Sequence, residues 1–269
     1  MSRSTNMRSV LFWSAVVLIL VYMTLPAVVV VATSVNPTEL MAFPPTGFSL
    51  RWYEKALTYP DFQEAFKSSL VVMALSSTLA TLLGSSFAFL IFHYKFRGRG
   101  LLEAALWSPL IIPHFTTGFG FLLLGSHLSL TQGYAVIVMA HLLLVTPFVT
   151  RAVFVSLSNV DTNYARAAAN LGATPSEVLF KITIPLVLPG MIGGWLIAAI
   201  LSLTEFTASL YVTASRTQTL PVAMYNYIRE YADPTISAIS ALLILSTTII
   251  MIVANHFLGL RRILGIDNG

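Results

Sequence analysis

The chain has 269 residues, of which 56% are hydrophobic and only 10% charged, with a formal charge of +4 and no cysteine. That composition has too little polar surface for a water-soluble fold and predicts an all-α integral membrane protein. The missing thiols exclude disulfides, thiolate metal sites and cysteine nucleophiles, while basic residues that flank apolar runs, with no aromatic-laced patch, argue against nucleic acid as a partner.

In chain order, Arg3 and Arg8 precede an uncharged run over 10–33, too long for a signal-peptide core, which predicts an uncleaved first transmembrane helix bent at Pro26. Residues 34–65 contain Pro37, Pro44, Pro45 and Pro60 among charges of both signs and read as the first external loop, with Trp52, Tyr53 and Tyr59 at the lipid–water boundary. A second span over 66–92 stops at the basic turn His93–Arg99. The third, over 101–124, holds Pro109 and Pro113 and is expected to kink; an uncharged turn around Ser126 to Gly133 leads to the fourth, over 133–154, interrupted by Pro147. A polar stretch over 156–181 separates it from a fifth span over 182–212, and a sixth, over 236–260, is closed by Arg261 and Arg262. At roughly 20 apolar residues per crossing, six spans use most of the chain and leave one transmembrane domain over 1–269.

Lysine and arginine set the orientation. Arg3, Arg8, Lys95, Arg97, Arg99, Arg151, Arg166, Lys181, Arg261 and Arg262 fall on one side of this layout, ten in all, against five on the other: Arg51, Lys55, Lys67, Arg216 and Arg229. The positive-inside rule then puts both termini and the 156–181 stretch in the cytoplasm.

Within that stretch Asp161 reads as the N-cap of a short alanine-rich helix that ends at Gly172. Thr174-Pro175-Ser176-Glu177 then matches a capping box with proline at the first helical position, so a second helix begins at once. An alanine-rich helix buries little area of its own but lets another protein's backbone approach closely. An ordinary, well-capped interhelical loop explains the caps equally well.

The spacing favours the docking reading. Arg166-Ala167-Ala168, Gly172, Ile182, Ile184 and Pro185 stand at the intervals of Glu-Ala-Ala, three residues, Gly, nine residues, Ile, one residue, Leu-Pro. The sequence thereby resembles the permease subunits of binding-protein-dependent ABC importers, with Arg166 where the family usually has glutamate and Ile184 where it has leucine. Arg51-Trp52-Tyr53, Tyr94-Lys95-Phe96-Arg97-Gly98, Pro147-Phe148-Val149 and Leu201-Ser202-Leu203-Thr204-Glu205-Phe206 extend the likeness, which looks closest to the spermidine/putrescine branch.

The resemblance implies a type I importer fold of six transmembrane helices in a bacterial inner membrane, with a cytoplasmic coupling helix between the fourth and fifth spans. It implies Asn163, Tyr164, Arg166, Ala167, Ala168, Leu171 and Gly172 as the contact with ATP-binding cassette ATPase subunits. It also implies a second permease, a different but related chain, and an extracellular solute-binding protein that delivers a polyamine-like or other small solute. ATP and Mg2+ belong to the partner ATPase, since no glycine-rich loop ending in Lys-Ser or Lys-Thr occurs here. The chain is expected to be a non-catalytic permease with no cofactor or metal of its own.

Glu205 lies deep in the fifth apolar run, where an ionisable group is costly unless it faces the bundle interior, water or a partner. At 100° per residue Trp195, Ala199, Ser202, Glu205 and Ser209 share one face, a stripe suited to a cationic solute, with Thr204 projecting from the opposite side. The alternative for Glu205 is a hydrogen bond to a neighbouring helix, and the same alternative applies to His93, His114, His127, His141 and His256, none of which pairs at metal-ligand spacing. Gly84, Gly193 and Gly194 suit close helix packing, and Tyr211, Tyr225, Tyr227 and Tyr231 an interfacial belt. A secondary carrier or channel is the competing function; such carriers often show paired broken helices and several buried charges. An intramembrane protease ranks behind it, for want of a spaced nucleophile and base.

Overall fold

The computed structural model describes residues 2–130 and 133–258; Arg261, Arg262, the centre of the 126–133 turn and the side chains of Arg3 and His256 lie outside the described residues. Every regular element described is helical: α1 Ser2–Thr33, α2 Arg51–Thr58, α3 Pro60–His93, α4 Arg99–Trp107, α5 His114–His127, α6 Tyr134–Ser158, α7 Thr162–Asn170, α8 Pro175–Val178, α9 Ile184–Thr204, α10 Ser209–Val212, α11 Leu220–Glu230 and α12 Thr235–Leu258. A 3-10 turn, Ser108–Leu110, extends α4, and a π-helical turn, Leu179–Thr183, joins α8 to α9.

Five helical runs are long and apolar enough to cross a membrane, within α1, α3, α6, α8 to α9 and α12. The third expected span is instead a broken pair, Arg99–Leu110 and His114–His127, bent by 103°, and counts as a sixth crossing if the pair is taken as one span. Pro109 and Pro113 flank the break and withhold two backbone donors there. Pro147, expected to interrupt the fourth span, lies inside the unbroken α6, as Pro26 does in α1 and Pro189 in α9. A single missing N–H is tolerated where no water competes for the remaining helical bonds.

The fifth span also departs from expectation. Helix runs without a gap from Pro175 to Thr204, Glu205 turns extended (φ −70°, ψ 116°), and α10 is a separate short helix. The stripe through Trp195, Ser202, Glu205 and Ser209 is therefore not one helical face, because the 100° rule fails where the helix stops.

Two compact units partition the chain. One comprises Met1–Phe62 with Met224–Thr248. In it the buried Trp52 donates from Nε1 to the Asn36 carbonyl (2.7 Å), and Asn36 accepts from Thr46 Oγ1 (3.0 Å), which folds the loop before α2 onto that helix. Tyr59, Phe62 and Tyr227 pack ring on ring at 5.0–5.3 Å. Tyr227 is only 3% exposed, so it is a core residue and not part of an interfacial belt. Asp233 accepts from Tyr227 and from the Thr235 N–H at the start of α12, and pairs with Lys55 at 2.6 Å.

The other unit comprises Gln63–Ala223 with Ile249–Gly269. Its core is the contact of α6 with α9: Val145, Val149, Val153 and Leu157 bury against Val187 and Ala198. A Cβ on Gly194 would meet Ala152 Cβ at 3.3 Å, and one on Gly190 would overlap Ser156 outright. The Gly190–Gly194 spacing thus sets how closely α9 lies on α6, as small residues do where lipid leaves packing as the main force between helices.

Candidate functional site

Two sites emerge in the second unit, at opposite ends of one helical run. The first is α7 and its turn. Asp161 caps α7 by accepting from the Asn163 N–H at 2.9 Å. The helix closes with Gly172 at φ +88°, where Gly172 N–H donates to Ala169 O (3.0 Å) and Ala173 N–H to Ala168 O (3.1 Å). That crossed pair satisfies the last carbonyls, and it needs the left-handed residue that glycine supplies without strain. The capping box forms: Thr174 Oγ1 accepts from Glu177 N–H, and Glu177 Oε2 accepts from Thr174 N–H at 3.0 Å. No residue of α7 is buried; Asn163, Tyr164, Arg166 and Ala167 are exposed, Ala168 is half-buried, and Leu171 is 89% exposed. All of the expected contact residues therefore lie on one short, rigidly capped element with a free apolar tip.

The second site surrounds Glu205. The end of α9 brings its carboxylate, 12% exposed, to His114 at the first turn of α5, where Nδ1 donates to Oε2 at 2.9 Å. Its other oxygen, Oε1, accepts from the Ala208 N–H at 2.7 Å. Both bonds depend on breaks: Pro113 starts α5 afresh, and the extended Glu205 turns the chain toward α10. A carboxylate beside the N-terminus of the 14-residue α5 also gains from the helix dipole. Gly118 seals the junction, since a Cβ there would fall 2.6 Å from the Ala208 carbonyl oxygen. A cavity of about 110 Å3 opens beside the pair, lined by His114, His141, Leu144, Phe148, Thr204 and Glu205 among others. Whole-ligand pockets run to roughly 300 Å3 or more, so this volume suits one end of a solute.

Ser202 and Ser209 are placed differently from Glu205. Both are buried and engaged by the fully buried His141, whose Nδ1 lies 2.8 Å from Ser202 Oγ and whose Nε2 lies 2.8 Å from Ser209 Oγ. Ser76 Oγ adds a bond of 2.9 Å to Ser202, and Ser209 donates to the Glu205 carbonyl at 3.0 Å. Ser76 Oγ donates to the Val72 carbonyl at 2.7 Å and so accepts from Ser202, which in turn accepts from Nδ1–H of a neutral imidazole, while the Ser209 proton is shared between Nε2 and the Glu205 carbonyl. This chain ties α3, α6 and α9 together and fixes the backbone that carries Glu205. Neither serine lines the cavity. Trp195 is also outside it, donating from Nε1 to Thr78 Oγ1 at 3.1 Å. Thr204, expected on the far side, does line it, because the helix ends at that residue.

His114 and His141 are the site residues that the sequence did not single out. Their partners stand 91 and 61 to 68 positions away, so no local spacing marks them. Among the described residues no cluster of His, Cys, Asp and Glu could hold a metal ion.

The profile of the family described as Binding-protein-dependent transport system inner membrane component matches residues 80–260. The putrescine transport system permease protein PotI of Escherichia coli K12 is 30% identical over 251 residues, 90% of this chain and 89% of its own. The spermidine/putrescine transport system permease protein PotC of the same strain is 26% identical over 237 residues, 88% and 89% of the two chains. The molybdenum transport system permease protein ModB, also of that strain, is 33% identical over 189 residues, 64% of this chain and 82% of its own. Among solved structures, a bacterial ABC transporter that imports the acidic polysaccharide alginate superposes with a TM-score of 0.72 at 15% identity, covering 96% of this chain and 98% of the other. The MetNI methionine ABC transporter in an inward-facing conformation gives 0.63 at 17% identity, covering 75% and 95%.

Proposed function

The chain belongs to the family of binding-protein-dependent transport system inner membrane components, and on that premise we propose that it forms half of the solute pathway of an importer for a polyamine-like cation. It is a non-catalytic permease subunit of an ABC importer, working with a second permease, ATPase subunits that handle ATP and Mg2+, and a periplasmic binding protein. The excess of lysine and arginine on the side of α7 supports cytoplasmic termini and a cytoplasmic coupling helix.

One observation carries the mechanism: helix runs unbroken for 30 residues from Pro175, beside the coupling turn, to Thr204, beside Glu205. At 1.5 Å per residue that is a rod of about 45 Å. Closure of an ATPase dimer against α7 pushes the capped turn, and the rod delivers the displacement to the carboxylate at its far end, sliding on α6 along its own glycine face.

The solute class rests on PotI and PotC, whose names specify putrescine and spermidine, and on a carboxylate inside an apolar bundle, which favours a cation. ModB, a molybdenum permease of comparable identity over a shorter stretch, makes identity alone a weak guide to solute. The deciding experiment is calorimetric titration of the cognate binding protein with putrescine, spermidine, amino-acid derivatives, an aminophosphonate and ferric iron. Selective binding of a di- or polyamine supports the assignment, and selective binding of an anion or of iron overturns it.

A further inference from the structure

Glu205 is not vacant: its Oε2 is held by His114 at 2.9 Å and its Oε1 by the Ala208 N–H. The two bonds differ in kind. The Ala208 bond is local to the turn at the end of α9, whereas the His114 bond crosses from the break after Pro113 to the break after Thr204 and closes one wall of the cavity between them. The imidazole is also the more accessible partner, with its side chain 47% exposed against 12% for the carboxylate. An alkylammonium group and an imidazole N–H donate to a carboxylate in the same way, so they compete for one oxygen.

We propose that His114 is a built-in stand-in for the solute's ammonium group, gating the pathway by exchange: the pathway is shut while His114 holds Glu205, and a solute bearing a primary or secondary ammonium opens it by taking over Oε2. This rests on the reading that Glu205 faces the solute. The exchange keeps the buried carboxylate hydrogen-bonded throughout, avoiding the cost of exposing an unpaired charge to an apolar wall. It selects against neutral solutes of the same shape, which cannot displace a charge-assisted donor. Because α9 ends at Glu205, displacement of the rod lengthens the His114 bond first and lends the ATPase stroke to the exchange.

The test uses the complete transporter in proteoliposomes, with putrescine as the probe, and three variants: His114→Leu, His114→Asn and Glu205→Gln. The readouts are ATPase activity without loaded binding protein and passive putrescine leak. His114→Leu removes the stand-in and is expected to raise both about threefold or more. His114→Asn keeps a donor at the position of Nδ1 and is expected to restore values near the parent's. His114→Leu with parent-like ATPase and leak overturns the gate; if that variant fails to assemble, His114→Phe, which keeps a ring of similar shape but donates no hydrogen bond, takes its place with the same criterion. Glu205→Gln separates the two ideas. Lost uptake in that variant with an unaffected His114→Leu leaves Glu205 as a solute contact and removes only the gate. Parent-level uptake by Glu205→Gln removes the solute contact and, with it, the exchange.

Discussion

At the residue scale, Glu205 and His141 illustrate opposite uses of a polar group in an apolar bundle. Glu205 keeps one oxygen for its own turn and offers the other across a cavity. Glutamine in its place still accepts from the Ala208 N–H, so the fold survives while the charge is lost. Glu205→Gln is therefore expected to assemble normally and to lower uptake of a cationic solute about tenfold, the worth of one charge-assisted bond, as measured by labelled-solute uptake. His141, by contrast, is wholly enclosed and spends both nitrogens on serines. His141→Leu takes a partner from both hydroxyls, but Ser202 keeps its bond to Ser76 and Ser209 its bond to the Glu205 carbonyl, so the loss falls at the low end, about 1 kcal/mol. A lower thermal midpoint in detergent would register it; an unchanged midpoint would show that the chain of hydroxyls carries no stability. That His114 and His141 bond neighbouring helices was the plain reading of the sequence, but their partners were not legible, because each bonds residues far along the chain.

Among the elements, the α7–α8 turn was readable in advance and the Lys55–Asp233 latch was not. Asp161, Gly172 and the Thr174–Glu177 box are local devices, each complete within a few residues, so spacing alone revealed them. At Gly172 nothing lies within 4 Å of a would-be Cβ, so the whole cost of substitution is the left-handed backbone, about 1–2 kcal/mol. Gly172→Val is accordingly expected to disorder the turn and to reduce ATP-coupled uptake with membrane insertion intact, whereas Gly172→Asn, which tolerates that conformation, is expected to retain most of it. Equal uptake by both would detach the turn from coupling. The latch joins Lys55 to Asp233, 178 residues apart. Burial pushes the Asp233 carboxyl up, but bonds from Lys55, Thr235 and Tyr227 outweigh it and hold the group below its usual range. The Asp233 bond raises Lys55 above its ordinary value against a smaller opposing effect of burial. With the aspartate depressed, its contribution is present above its unfolded value and fades as pH falls through the lower folded value; with the lysine raised, its share fades only as pH climbs through the folded value above 10.5. Asp233→Asn is thus expected to destabilise the protein across neutral pH and to flatten the loss of thermal midpoint in acid.

For the whole molecule, the expected outcome is that affinity purification from native membrane recovers an ATPase subunit and a second permease with this chain; recovery of the chain alone, active in transport, would sink the importer reading. Cysteine introduced at exposed Ser176 should be labelled only from the cytoplasmic side, which checks the orientation inferred from lysine and arginine. The sequence by itself determined the membrane class, most of the apolar spans and the capped pair of short helices, because hydrophobic length and caps act over a few residues to a few turns. Only the tertiary structure decided where the proline-rich runs break and where they do not: Pro109 and Pro113 flank a 103° bend, while Pro147 sits in an unbroken helix held on α9 by Gly190 and Gly194. It also decided that Glu205 faces His114 while Ser202 and Ser209 turn to His141, since those partners are chosen by packing between helices distant in the chain, which no local period records.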